Sequence, residues 1–226
     1  MSKSLKNILK VLLVILLMMN LVACRPWTIV KNGETTNDGS IKIYFESDDF
    51  DADAFAKDVW ENQLLDYYGQ KKVGVTVLNE ALAMDEEKAG KDYGIGSNDT
   101  GSSWTFIIEG TGKVLEVNKE SRAGIMTIDL PPYDNESDMT LQIGPVIKGT
   151  TVRDTLDFIK LDDFNNQVQF ASISKAFNAL VVSEVLEGVA FEEEVGNEIT
   201  FLACFTYNQS DKTLVTPIQV NFGEGK

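Results

Sequence analysis

The chain contains no histidine. That removes Ser-His-Asp and Cys-His catalysis and the commonest metal ligand, and leaves carboxylate, lysine and tyrosine chemistry. The segment "SISK" sets Ser172 and Lys175 at the S-x-x-K spacing of an acylating nucleophile. Its partner motifs S-D-N and K-T-G are scrambled, as "SND" at Ser97 and "KGT" at Lys148. Ser172 is therefore expected near a helix start without a catalytic role. "DFDADAF" sets Asp49, Asp51 and Asp53 at the spacing of the first EF-hand ligands. The glycine and glutamate such a loop needs at its sixth and twelfth places are Ala54 and Trp60. Asp51 then reads as a helix N-cap, and no metal is expected. "GIGSND" lacks the third glycine of a dinucleotide fingerprint, so no cofactor is expected. The polar residues to follow are Arg122, Arg153, Asp154, Asn166 and Gln167. They either stitch loops to a core through an Arg–carboxylate pair or line a polar ligand pocket.

The elements that must position them follow from periodicity. A helix over 48–68 carries Phe55, Val59, Trp60, Leu64 and Tyr67 on one face. A second helix begins near Thr76 and is expected to end with Gly90 at C′. From Trp104 the apolar period becomes two. Strands are read over 104–118, with a bend at Gly110 and Gly112, over 123–130, and over 139–144. A long helix before Gly188 buries Ile173, Phe177, Leu180, Val181 and Val185. Two strands close the chain over 197–207 and 213–222, the latter with an edge or bulge at Pro217. A short strand over 41–45 and a turn at 208–212 complete the reading. Three strands, a helix and two strands is the order of the five-stranded OB barrel. The fold class is thus α+β: an OB-like antiparallel barrel with a helix between strands 3 and 4 and two N-terminal helices, the alternative being an open antiparallel sheet with its helices on one face. One domain spans 48–226, helical over 48–93 and β-rich over 100–226. Within it "IGPVIKGTTVRD" reads as a corner: Pro145 fixes φ, and Gly144 and Gly149 tolerate bends.

The N-terminus supplies an address. Lys3, Lys6 and Lys10 precede the uncharged apolar run "VLLVILLMM", which suits a signal-peptide core and is short for a membrane span. "LVAC" then ends at Cys24 and resembles the lipobox of bacterial lipoproteins. That resemblance implies a signal peptide over 1–23, cleavage before Cys24 and diacylglycerol on its sulfur. The segment 24–47 follows as lipidated cysteine and polar tether. Cleavage removes three lysines and no acid, taking the net charge from −15 to about −18. Such acidity disfavours nucleic acid and anionic lipid as partners. Cys204 is then left without a disulfide partner, in the apolar run "ITFLACFTY", where a buried and inert thiol is expected.

The segments "FDADAFAKDVWENQLL", "FIIEGTGKVLEVNKESRAG", "LQIGPVIKGTTVRDTLDFI" and "FNNQVQFASISKAFN" resemble a family of uncharacterised periplasmic lipoproteins. The likeness is sharpest in the Gly-Pro-Val-Ile…Gly-Thr…Arg-Asp stretch and the Asn-Gln that follows. It implies a non-enzymatic, lipid-anchored envelope protein facing outward from the cell membrane. Members of the family tend to be encoded near sugar-type ABC uptake systems, which implies a transporter or solute-binding protein as partner. An alternative is a module binding a small polar solute such as a carbohydrate, with Trp104, Tyr133 or Tyr207 stacking on it. A third is an envelope hydrolase using two of Asp129, Asp154, Asp162 and Asp163, their pKa values pushed apart across a cleft.

Overall fold

The computed structural model describes residues 50–96, 104–207 and 214–223. All belong to the unit running from Asp48 to Lys226. The signal peptide, Cys24, the tether, the strand at 41–45, Asp49 and the turn at 208–212 lie outside the described residues.

The chain enters through a long helical run: α1 (Ala52–Val59), a π-helical stretch (Trp60–Leu64) and α2 (Leu65–Lys71). Asp51 caps it, its carboxylate accepting from Asp53 N and Ala54 N. The buried positions are Ala56, Val59, Leu64 and Tyr68. The step of five from Val59 to Leu64 is one residue too long for an α-helix to keep on one face. The π stretch absorbs that residue and keeps the apolar stripe facing the core.

A two-residue strand β1 (Val73–Gly74) leads to α3 (Val75–Met84) and α4 (Glu86–Tyr93). The expected second helix is therefore two helices, divided at Asp85. Asp85 takes extended backbone (φ −161°, ψ 101°) and caps α4 by accepting from Lys88 N. Gly90 is not a C′ residue. It lies inside α4, buried, where an added Cβ would stand 2.0 Å from Nε1 of Trp104. Its role is to let the indole lie against the helix.

The barrel strands are β2 (Thr105–Asn118), β3 (Ile125–Asp129), β4 (Met139–Gln142), β5 (Glu198–Thr206) and β6 (Leu214–Phe222). The sheet order is β1-β2-β3-β4-β6-β5, and pairing of β2 with β5 closes the ring. β2 serves two neighbours by halves. It pairs with β5 from Thr105 to Lys113 and with β3 from Lys113 to Asn118, both antiparallel. β4 meets β6 in parallel over Thr140 and Leu141, whereas the other pairings of the five barrel strands are antiparallel. β1 is a parallel addition beside Ile108 and Glu109. This is the five-stranded OB-like barrel expected from the sequence, with one short strand added.

The irregularities differ from expectation in one respect. The register of β2 slips between Val114 and Glu116, beyond the glycines. Gly112 instead makes room for the core, since a Cβ there would lie 2.3 Å from Cγ2 of Ile128. Pro217 does sit beside a register shift, opposite Ala203.

Between β4 and β5 the chain forms a short helix α5 (Thr151–Asp154), the 3-10 turn Leu161–Asp163, the long α6 (Gln167–Leu180) and a second π stretch (Val181–Leu186). Ile173, Phe177, Val181 and Leu186 are buried. Leu186 takes the place expected for Val185, again because the π stretch absorbs one residue. Gly188, at φ 80°, follows.

Candidate functional site

The corner after β4 is fixed by backbone. Gly124 O accepts from Ile143 N at 2.9 Å and Gly144 N at 3.1 Å, and Arg122 O accepts from Val146 N at 3.1 Å. The β2–β3 hairpin loop and the corner thus run against each other. They approach so closely that a Cβ on Gly144 would stand 2.1 Å from Gly124 N. A buried amide secures the loop from below. Gln142 Nε2 donates to Lys148 O at 3.2 Å and to Thr216 Oγ1 at 2.9 Å, while its Oε1 accepts from Lys148 N at 2.7 Å. From the helix side, Asn178 Nδ2 donates to Ile147 O at 3.3 Å and Gly149 O at 2.9 Å.

These contacts build an open groove of about 990 Å³ between the hairpin loop, the corner and the C-terminal half of α6 with its π stretch. Val146, Ile147, Val182, Leu186 and Phe191 supply its apolar wall, and Lys119, Arg122, Lys175, Glu120 and Glu187 its charged lining. Lys119 is partly engaged: its ammonium lies 2.9 Å from Glu192 Oε2 and 5.3 Å from the Phe191 ring centre. The hydrogen bond from Lys119 holds the Glu192 carboxyl below its usual range. A second recess, of about 460 Å³, lies between α1 and the stretch from Phe158 to Gln169.

The five residues singled out from sequence do not form one pocket. Arg122 is exposed on the groove. Arg153, with a side chain only 11% exposed, fastens α5 to α6. Its Nε and Nη2 donate to Asp154 Oδ1 at 2.8 and 2.5 Å, its Nη1 donates to Phe170 O at 3.1 Å, and the guanidinium lies 3.8 Å over the Phe170 ring. Asp154 Oδ2 accepts from Thr150 Oγ1 at 2.5 Å. Asn166 caps α6 by accepting from Gln169 N, and Gln167 is its exposed first residue. Arg153, Asp154, Asn166 and Gln167 line neither recess.

The remaining candidates have local duties. Asp129 is fully buried and accepts from the backbone N of Asp134 and Asn135. Asp163 accepts from Lys160 N, and Asp162 lies in the same 3-10 turn. Ser172 lies within α6 and donates to Gln169 O at 2.6 Å. Tyr133 and Tyr207 donate to Glu198 and Glu86, at 2.7 and 2.6 Å. Cys204 is fully buried, and burial pushes its thiol up to about 12. Tyr68 and Thr155, also fully buried, share a hydrogen bond of 2.7 Å.

Sequence reading missed Gln142 and Asn178, the side chains that shape the groove. Gln142 left one signal: a polar residue ending an apolar strand between Leu141 and Ile143.

Among the described residues no group of three or more His, Cys, Asp or Glu could hold a metal ion, and no helix is long and apolar enough to cross a membrane. No functionally curated protein matches the chain. The crystal structure of an OB-fold protein from Thermotoga maritima matches with a TM-score of 0.63 and 18% identity, covering 77% of this chain and 99% of that one. At that identity the likeness establishes the fold. Residues 12–221 match the family described as predicted periplasmic lipoprotein, DUF2291. The chain belongs to that family: it is a periplasmic lipoprotein built on an OB-type barrel.

Proposed function

We propose that this protein is a non-enzymatic accessory to solute uptake, anchored through lipid on Cys24 and acting by docking a protein partner in the groove. The observation that carries the reading is the groove itself. It is open, long and apolar along one wall, with Val146 39% exposed beside a charged rim. Small-molecule sites are enclosed and bury most of their ligand, whereas an open apolar surface with a charged rim suits a protein segment. Its floor is braced, because Gln142 and Asn178 hold the corner by four hydrogen bonds and a fifth ties Gln142 to Thr216 of β6. Pre-organisation of that kind favours binding by limiting the entropy lost on docking. The resemblance to lipoproteins encoded near sugar-type ABC uptake systems supports a transporter or its solute-binding protein as the partner.

A photo-crosslinking residue placed at Val146 or Val182 of the full chain in its own membrane tests this. The expected result is an adduct with a component of a solute uptake system. A crosslinker at Gly69, which has no atom within 4 Å of an added Cβ, serves as control. Equal labelling from Gly69, or adducts lacking every uptake component, would overturn the reading.

A further inference from the structure

The second recess has a chemistry that the groove lacks. Phe50, Phe55, Phe158 and Phe164 line it together with Asp58 and Asp163, and no lysine or arginine is among its described lining residues. Its volume of about 460 Å³ falls within the ~300–1,000 Å³ range of small-molecule sites. The rings form a supported wall. Phe50, Phe55 and Phe164 meet one another with centroids 5.4–5.9 Å apart, and Phe164 rests in turn on Phe170. Phe158 is 39% exposed and meets Tyr67 edge-on.

Both carboxylates are held by their own elements. Asp58 Oδ1 accepts from Asn62 Nδ2 at 2.9 Å, and Asp163 Oδ2 accepts from Lys160 N at 3.1 Å. The π stretch at Trp60–Leu64 adjoins the same recess, bringing Gln63 onto its lining, and such stretches recur at functional sites. Four phenylalanine rings and two carboxylates, with no lysine or arginine among the described lining residues, favour a positively charged occupant. An anion is repelled, and a neutral apolar solute gains nothing from the carboxylates.

We propose that this recess binds a small organic cation: an ammonium group clad in alkyl carbon, its charge set against the phenylalanine faces and the carboxylates of Asp58 and Asp163. The proposal is independent of partner docking in the groove. Calorimetric titration of the full chain, in a non-ionic polyoxyethylene detergent, with choline and with its uncharged isostere 3,3-dimethyl-1-butanol tests it. Choline is expected to bind, and the isostere to bind about tenfold more weakly or worse, as loss of cation–π and ion-pair attraction requires. Asp58→Asn, an exposed change that keeps the acceptor for Asn62, and Phe158→Leu are each expected to weaken choline severalfold while leaving the circular dichroism spectrum unchanged. Equal binding of the two isosteres would show simple apolar burial and overturn the proposal. So would binding of neither, or choline binding unaffected by both variants.

Discussion

At the residue scale, two glycines should respond oppositely to alanine. Gly144 lies where two backbones cross, and its new Cβ would stand 2.1 Å from Gly124 N and 2.5 Å from Arg122 O. Main-chain atoms cannot swing aside, so Gly144→Ala should cost about 3 kcal/mol, the upper end of ordinary single substitutions. Gly69 lies inside α2 with open space where the Cβ would go. Gly69→Ala should gain up to about 1 kcal/mol through helix propensity. Urea midpoints of the two variants against the parent check both signs. A second residue-scale effect concerns pH. Burial raises the Cys204 thiol to about 12 and raises the Tyr68 hydroxyl in the same sense. An unfolded thiol loses its proton near pH 8.5, while the folded chain keeps it, so the unfolded state binds fewer protons over that window. Stability should therefore be intact below pH 8.5 and fall as pH rises toward about 12. Cys204→Ala should flatten the first part of that fall. A urea midpoint independent of pH between 8 and 10 would contradict the burial argument.

At the element scale, the barrel was legible because apolar residues recur at every second place in the sequence, as Phe106, Ile108 and Val114 do in β2, a period the helices do not share. The helical parts were less legible, for a physical reason that Asp85 illustrates. An aspartate between Met84 and Glu86 reads equally as surface helix or as cap. In the structure its backbone is extended and its carboxylate accepts from Lys88 N, so α4 starts afresh there. Both π stretches left a trace in sequence, a five-residue step between buried apolar positions, from Val59 to Leu64 and from Val181 to Leu186. Read as α-helix, that step shifts the apparent face, which is why Val185 was expected where Leu186 is buried. Of the five pocket candidates, Arg122 alone borders the groove. The Gly-Pro corner borders it too, whereas Arg153 faces α6, because its partner Phe170 O is a main-chain atom no spacing reveals. Asp85→Ala should cost about 1 kcal/mol by removing the cap on Lys88 N, and Asp85→Ser should recover most of it. Loss of the same stability from both variants would show that the aspartate acts through charge and not through the cap.

At the scale of the whole molecule, the barrel, the groove and the acidic surface take their meaning from the membrane. A chain of net charge −15 is not drawn to anionic lipid, so its place at a membrane depends on covalent anchoring. The positive start, the apolar run and Leu-Val-Ala-Cys make Cys24 the residue proposed to carry the lipid. Acyl chains contribute roughly 0.8 kcal/mol per buried CH₂, and two or more anchor a protein stably. The polar segment from Arg25 to Ser40 would then span at most roughly 50–60 Å if fully extended, and less as a coil. Replacing Cys24 with Ser should abolish uptake of labelled palmitate. It should leave the protein as precursor or as released chain, with the folded unit's urea midpoint unchanged. Partner crosslinking from Val146 should fall with it, since the lipid supplies the shared membrane surface that raises the effective concentration of the two proteins. Wild-type protein that takes up no palmitate, or whose mature form begins anywhere but Cys24, would refute the anchoring site. Crosslinking undiminished in the released chain would leave the groove's role standing and show that the lipid is not needed for docking.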